Sequence, residues 1–164
     1  MKINTSEIAK LFQEKKYTQL IYLIESFDGE LSAEILNILA ISRLLKVQDK
    51  ETFEIAINEF KKVYLKEKKT EIGLNGLINF LNSSADFYDY LGRQDTTNAA
   101  TNYLKESIFF FKEAEKYFGY EKRLVSVAIR VFKRLNNLDV TLHYYKKLFL
   151  NHDHTLSTFS SWIF

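Results

Sequence analysis

The chain has 164 residues, enough to bury a core, and its 46% hydrophobic and 27% charged residues are typical of a globular protein. Cysteine is absent, which excludes disulfides, thiolate zinc sites and thiol nucleophiles. The formal net charge of +2 is too small to indicate nucleic acid or anionic lipid as a partner.

The charge is unevenly distributed: it is −3 over residues 1–60, +1 over 61–118 and +4 over 119–164. Residues 1–6 lack the apolar core of a signal peptide. The longest uncharged run, residues 72–85, has 14 residues and is too short and polar to span a bilayer. We therefore expect a cytoplasmic protein without a membrane partner.

Capping residues and chain breakers predict eight helices in four antiparallel hairpins. Ser32 and Asp49 are expected N-caps, and Gly92 and Gly119 are expected to end the two longest helices in left-handed conformations. No stretch alternates with period two, so no sheet is predicted. The fold class is all-α, in a single helical domain over 1–164, with hairpins over residues 5–27, 33–66, 71–118 and 121–150.

A stripe of side chains, which we call the repeat stripe, recurs on the second helix of each hairpin. An aliphatic residue usually stands second, a large apolar residue fifth and another apolar residue eighth, all on one helix face. The fifth positions are separated by 36, 51 and 34 residues, and we assign the longer interval to extra turns in the third hairpin. The fifth positions are Ile24, Phe60, Phe111 and Tyr145.

The repeat stripe resembles the second helix of tetratricopeptide repeats, which carries a small residue, an aromatic residue four later and a small residue three after that. Over about residues 5–150, this resemblance implies a right-handed α-solenoid whose concave groove, lined by first helices, binds a peptide or partner protein. A helical repeat outside this family is the alternative, because no proline closes any repeat. The matching residues on second helices are Ala56/Phe60/Val63, Ser107/Phe111/Ala114 and Thr141/Tyr145/Leu148. On the first helix of the fourth hairpin they are Ala128, Phe132 and Leu135.

The predicted helix over 121–135 carries an apolar arc of about 200°, which leaves one narrow exposed strip. The long side chains on this strip are all cations, and no acid of the same strip neutralises them. We call it the basic strip. Guanidinium groups bind carboxylates and phosphates through paired hydrogen bonds, so an acidic peptide is one candidate partner, and a solvated helix face is the alternative. The basic strip comprises Arg123, Ser126, Arg130, Lys133 and Arg134, and Asn37 and Asn79 on earlier first helices are expected to add amide contacts.

No catalytic constellation or cofactor motif occurs, and we expect neither enzymatic activity nor a bound cofactor or metal. His152 and His154 are interpreted as part of a solvated turn, since residues i and i+2 diverge on a helix. Asp86 and Asp89 are interpreted as a solvent-facing helix edge. The run of phenylalanines at 109–111 predicts a helix buried on two sides, and Tyr144 is expected to be half-exposed.

The apolar segment 154–164 supports a second hypothesis. Either it folds over the last hairpin, or the chain is the substrate-recruiting repeat module of a larger bacterial enzyme similar to O-linked N-acetylglucosamine transferases. Single-stranded RNA binding along a basic groove is a weaker idea, since it requires more positive charge than +2.

Overall fold

The computed structural model describes residues 3–46 and 49–151, without the side chain of Arg93. Helices account for 81% of the described residues, and none of these residues forms a strand, as predicted. The α-helices of this part of the chain are α1 (Thr5–Gln13), α2 (Tyr17–Glu25), α3 (Ala33–Leu45), α4 (Lys50–Lys66), α5 (Glu71–Leu91), α6 (Ala99–Phe118), α7 (Lys122–Arg134) and α8 (Leu138–Asn151).

Most helix ends lie where the capping residues predict. The Asp49 carboxylate accepts the Thr52 N–H at 2.8 Å, and the Ser32 hydroxyl accepts an N–H of the first turn of α3. Gly92 and Gly119 have φ angles of 54° and 58°, in the left-handed region.

The sequence predicts that the second helix of the third hairpin starts at Thr97, but α6 starts two residues later. Its first turn is capped by the carboxylate of Asp95, which accepts the Ala100 N–H at 2.9 Å. The intervening Asn98 has a φ of 56°, outside the helical region, so the helix begins at Ala99 and not at Thr97.

The chain forms two compact units, unit 1 (Met1–Phe80) and unit 2 (Leu81–Phe164), with the division inside α5. In unit 1, α1 packs on α2, α2 on α3 and α3 on α4, and α1 also contacts α3. In unit 2, α6 packs on α7 and α7 on α8. Helices that follow one another in sequence are therefore neighbours from α1 to α4 in unit 1 and from α6 to α8 in unit 2. The single domain predicted over residues 1–164 stays a prediction.

The lengths of the helices explain the uneven repeat. The helices α5 and α6 have 21 and 20 residues, whereas α7 and α8 have 13 and 14. The extra turns of the third hairpin are therefore present, as the interval of the repeat stripe predicts.

The first and fifth positions of the repeat stripe face the interior in all four copies, whereas the second position of the last copy, Leu142, is exposed. The fifth position is buried in each copy, at Ile24, Phe60, Phe111 and Tyr145. The first position is also buried, and two of its hydroxyls, on Ser107 and Thr141, donate to carbonyls of their own helix. The stripe is therefore a packing surface, as predicted.

The expectation that α6 is buried on two sides is wrong. Phe111 is fully buried, but the side chain of Phe109 is 67% exposed. These residues lie about 200° apart on a helix, so α6 has one covered face and one open face.

An arginine whose side chain is 15% exposed joins three helices of unit 1. The Arg43 Nε on α3 lies 3.0 Å from both carboxylate oxygens of Glu59 on α4, and its Nη2 donates to Glu25 on α2 at 2.8 Å. Burial raises the pKa of Glu59 above its ordinary value, although the Arg43 guanidinium acts in the opposite direction. The arginine thus satisfies a carboxylate that would be costly to bury alone.

Gly76 allows α4 and α5 to approach closely in unit 1. A Cβ at this position would lie 2.6 Å from Val63 Cγ1 and 3.1 Å from the backbone nitrogen of Tyr64. Both neighbours are fully buried, so neither has room to move aside.

We expect Phe111→Ala to lower the free energy of unfolding by about 3–5 kcal/mol, because it removes a buried ring from the repeat stripe. The matched control is Phe109→Ala on the same helix, which should change it by less than about 0.5 kcal/mol because the ring is exposed. Urea denaturation measures both. Equal losses for the two variants would show that the stripe does not hold the core together.

We expect Gly76→Ala to destabilise the chain by about 1–3 kcal/mol, since the added methyl overpacks the α4–α5 contact. An unhindered glycine-to-alanine change within a helix instead stabilises by up to about 1 kcal/mol. The sign of the change in the free energy of unfolding, measured by urea denaturation, therefore distinguishes the two cases. A gain in stability would contradict the close approach of α4 and α5.

Candidate partner-binding surface

The helix α7 has the strongly one-sided character that the sequence predicts. The Glu121 carboxylate caps its start by accepting the Leu124 N–H at 2.8 Å. One face of the helix is buried and carries Leu124, Val125, Ala128, Ile129, Val131 and Phe132. The basic strip lies on the opposite side.

Arg130, in the middle of the basic strip, binds two side chains of α5 within unit 2. Its Nη2 donates to Asp86 Oδ1 at 2.7 Å, and its Nη1 donates to Asn82 Oδ1 at 2.8 Å. The two terminal nitrogens of the guanidinium thus hold residues one helical turn apart on α5.

Arg134 forms a second bridge one turn further along α7. Its Nε lies 2.9 Å from Asp89 Oδ1 and its Nη2 donates to Oδ2, which is the two-pronged geometry typical of arginine and carboxylate. Its Nη1 donates to the Arg130 carbonyl at 3.0 Å. Hydrogen bonding to Arg134 holds the pKa of Asp89 below its ordinary value.

These contacts correct two interpretations made from the sequence. The basic strip is opposed by acids after all, because they come from α5 and not from α7. Asp86 and Asp89 are exposed, as expected of a helix edge, but both are partners of arginines. The strip is therefore the basic half of an α5–α7 ion-pair ladder.

The remaining residues of the strip have local contacts. Arg123 Nε lies 3.0 Å from Glu121 Oε1, and the Ser126 hydroxyl donates to the Lys122 carbonyl at 2.8 Å. The Lys133 ammonium lies 5.8 Å from the centroid of the Tyr145 ring, in cation–π range.

The two asparagines named from the sequence meet each other in unit 1. The Asn79 amide on α5 donates to Asn37 Oδ1 on α3 at 3.1 Å. The structure thus places them side by side on neighbouring first helices of unit 1, whereas the basic strip belongs to unit 2.

Tyr144 is not the half-exposed residue expected from the sequence. It is buried, and its hydroxyl lies 3.0 Å from both carboxylate oxygens of Glu115 on α6. Its ring stacks on Phe132 and meets Phe111 edge-on. Burial and the Glu115 carboxylate raise the pKa of Tyr144 far above its ordinary value. The residue is a core contact of unit 2.

The described ranges, 3–46 and 49–151, contain neither a metal-binding cluster nor a membrane-spanning helix. No group of three or more histidine, aspartate or glutamate side chains in them is placed to hold a metal ion. No helix in these ranges has both the length and the hydropathy required to cross a membrane. His152, His154 and the apolar segment 154–164 lie outside the described residues.

The sequence reasoning missed Asn82, Asp86 and Asp89 as neighbours of the strip. A signal was present, because Asp86 and Asp89 are three residues apart on one helix face, and Arg130 and Arg134 are four apart on another. Comparisons with known proteins give no further guide: no protein-family model, curated protein or solved structure matches the chain.

We expect the Arg134–Asp89 pair to stabilise unit 2 by about 0.2–1 kcal/mol at neutral pH, the range for partly exposed pairs. The pKa of Asp89 is lower in the folded state, so this stability is present above the ordinary value of 3.8 and is lost as the pH falls through the folded value. A double-mutant cycle of Asp89→Asn and Arg134→Gln, measured by urea denaturation at decreasing pH, tests this. A coupling energy that does not decline below pH 3.8 would contradict the pairing.

Proposed function

We propose that the chain is a non-enzymatic helical-repeat scaffold, a right-handed α-solenoid similar to tetratricopeptide repeats, which binds a peptide or partner protein along its first helices. The observation that carries this proposal is the arrangement of neighbours within each unit. First helices lie beside first helices, because α1 contacts α3 and α3 meets α5 in unit 1, and α5 meets α7 in unit 2. This is the neighbour pattern of stacked helical hairpins.

The buried repeat stripe supports the same proposal. It places a large apolar residue at a fixed position of α2, α4, α6 and α8, and a small residue four positions before it on α4, α6 and α8, so these second helices offer similar packing surfaces to their neighbours. Hairpins that repeat in this way stabilise one another by stacking, and leave one face of the first helices available to a partner.

The chemistry of the basic strip shapes the expected partner. The partners of Arg130 and Arg134 are Asp86 and Asp89, so a ligand carboxylate must compete with acids that are already in place. Exposed pairs of this kind contribute little, so exchange costs little. We therefore propose a peptide recognised mainly by hydrogen bonds, with acidic residues tolerated in it.

Arg123 and Lys133 are the best positions at which to test this surface. Reversing Arg130 or Arg134 would place a new acid beside Asp86 or Asp89 and damage the fold. Arg123, by contrast, has a side chain 52% exposed, and Lys133 is exposed at the edge of the strip. A double reversal at these positions changes the surface and leaves the ion-pair ladder intact.

We expect peptides selected from a random display library on the full chain to bind Arg123→Glu/Lys133→Glu at least about tenfold more weakly, a loss of about 1.4 kcal/mol. The matched control is Lys112→Glu/Lys116→Glu, an equal charge change at exposed positions on α6. Isothermal titration gives the affinities, and circular dichroism checks the fold of each variant. Equal affinity for both variants would contradict binding at the basic strip.

A further inference from the structure

The sequence contains two dipeptides in which a glycine follows an aspartate or an asparagine, Asp28–Gly29 and Asn75–Gly76. Glycine has no Cβ to shield its backbone nitrogen, so at such dipeptides this nitrogen can attack the side-chain carbonyl carbon of the preceding residue. The reaction requires a backbone that can leave the helical conformation and an N–H that is not held in a hydrogen bond. The structure places the two dipeptides in opposite surroundings with respect to both requirements.

The dipeptide Asn75–Gly76 is protected by its helix. It lies inside α5, where each backbone N–H donates to the carbonyl four residues earlier. Gly76 is buried, and its Cα faces Val63 so closely that a Cβ would lie 2.6 Å from Val63 Cγ1. The helical hydrogen bonds and the contact with α4 therefore keep the Gly76 nitrogen from reaching the side chain of Asn75.

The dipeptide Asp28–Gly29 has no such protection. Both residues are exposed and lie in the connection between α2 and α3, outside any helix. Among the described residues, the Asp28 carboxylate has no hydrogen bond or ion pair, and the Gly29 N–H makes no backbone hydrogen bond. The carboxylates of Asp49 and Asp95, by contrast, accept backbone N–H groups at helix starts. Both reacting groups of Asp28–Gly29 are therefore available to each other.

We propose that Asp28 is a modification site, at which the bond between Asp28 and Gly29 converts spontaneously to an isoaspartyl linkage. The Gly29 nitrogen loses its proton and bonds to Asp28 Cγ, while one carboxyl oxygen leaves as water, and a cyclic imide results. Water then adds to the backbone carbonyl carbon of Asp28, whose bond to the Gly29 nitrogen breaks. One water is lost and one is regained, so no oxidant or other reactant is required. The product carries a free α-carboxylate, the substrate class of methyltransferases that modify isoaspartyl residues.

The fold offers little resistance to this change. The isoaspartyl linkage adds one carbon to the main chain beside Glu30, whose carboxylate pairs with the Lys66 ammonium on α4. The two side chains are 85% and 38% exposed, and exposed ion pairs contribute little to stability. Displacing Glu30 from Lys66 therefore costs little, and the modified connection stays at the surface, where an enzyme can reach it. The proposal does not rest on the function proposed for the basic strip.

Ageing of the full chain at neutral pH and physiological temperature, folded and in parallel in urea, tests the proposal. Trypsin then releases the peptide of residues 17–43, in which Asp28 is the only aspartate. Conversion is measured as the fraction of this peptide that resists a protease cleaving before aspartate. It is measured independently as labelled methyl groups incorporated by an isoaspartyl methyltransferase. Mass spectrometry of the peptide of residues 70–93, with fragment ions that locate the change, reports deamidation of Asn75.

In the folded chain we expect the resistant fraction of the Asp28 peptide to grow with time while Asn75 stays unchanged, and in urea we expect both dipeptides to react. The matched variant is Asp28→Glu, which keeps the charge but would have to form a larger and less favourable ring, so its methyl incorporation should fall. A resistant fraction that stays constant in the folded wild type, or equal methyl incorporation by the wild type and Asp28→Glu, would overturn the proposal. Deamidation of Asn75 as fast in the folded chain as in urea would overturn the protection on which it depends.

Discussion

The structure depends on one packing constraint, the pairing of a small and a large side chain at fixed positions of α4, α6 and α8, the second helices of the last three hairpins. Ala56, Ser107 and Thr141 are small enough to let a neighbouring helix approach, and the residue four later fills the space that remains. The hydroxyls of Ser107 and Thr141 donate to their own helix, so they need no partner across the interface. The register of the repeat, the direction of each helix face and the placement of surface residues all follow from this stripe.

Features set within one helix could be predicted from the sequence. The caps at Ser32 and Asp49, the left-handed glycine after α6 and the buried face of α7 depend on residues within a few turns of each other. The long helices of the third hairpin followed from the spacing of the stripe. Tertiary neighbours do not alter these features, since they only add burial to a face that the sequence already defines.

Features set by contact between distant helices could not be predicted in the same way. The partners of Arg130 and Arg134 lie more than 40 residues earlier, so a helical wheel of α7 alone shows cations and no acids. Phe109 and Tyr144 were misplaced for the same reason, because an apolar residue is buried only where another helix covers it. Periodicity shows which residues of a helix could be buried, and the neighbouring helix determines which of them are buried.

The same reasoning gives different weight to exposed charged and exposed apolar residues of unit 2. On the ladder of α5 and α7, charges are already matched, and a ligand that replaces one carboxylate by another gains little. Polar surfaces of this kind favour the correct orientation of a partner more than they contribute affinity. Leu138 and Leu142 on α8 differ from these charged residues, because they are apolar and largely exposed. Burial of apolar surface yields about 25 cal/mol per Å², so an exposed leucine contributes more free energy when it is covered than an ion pair that only exchanges one carboxylate for another.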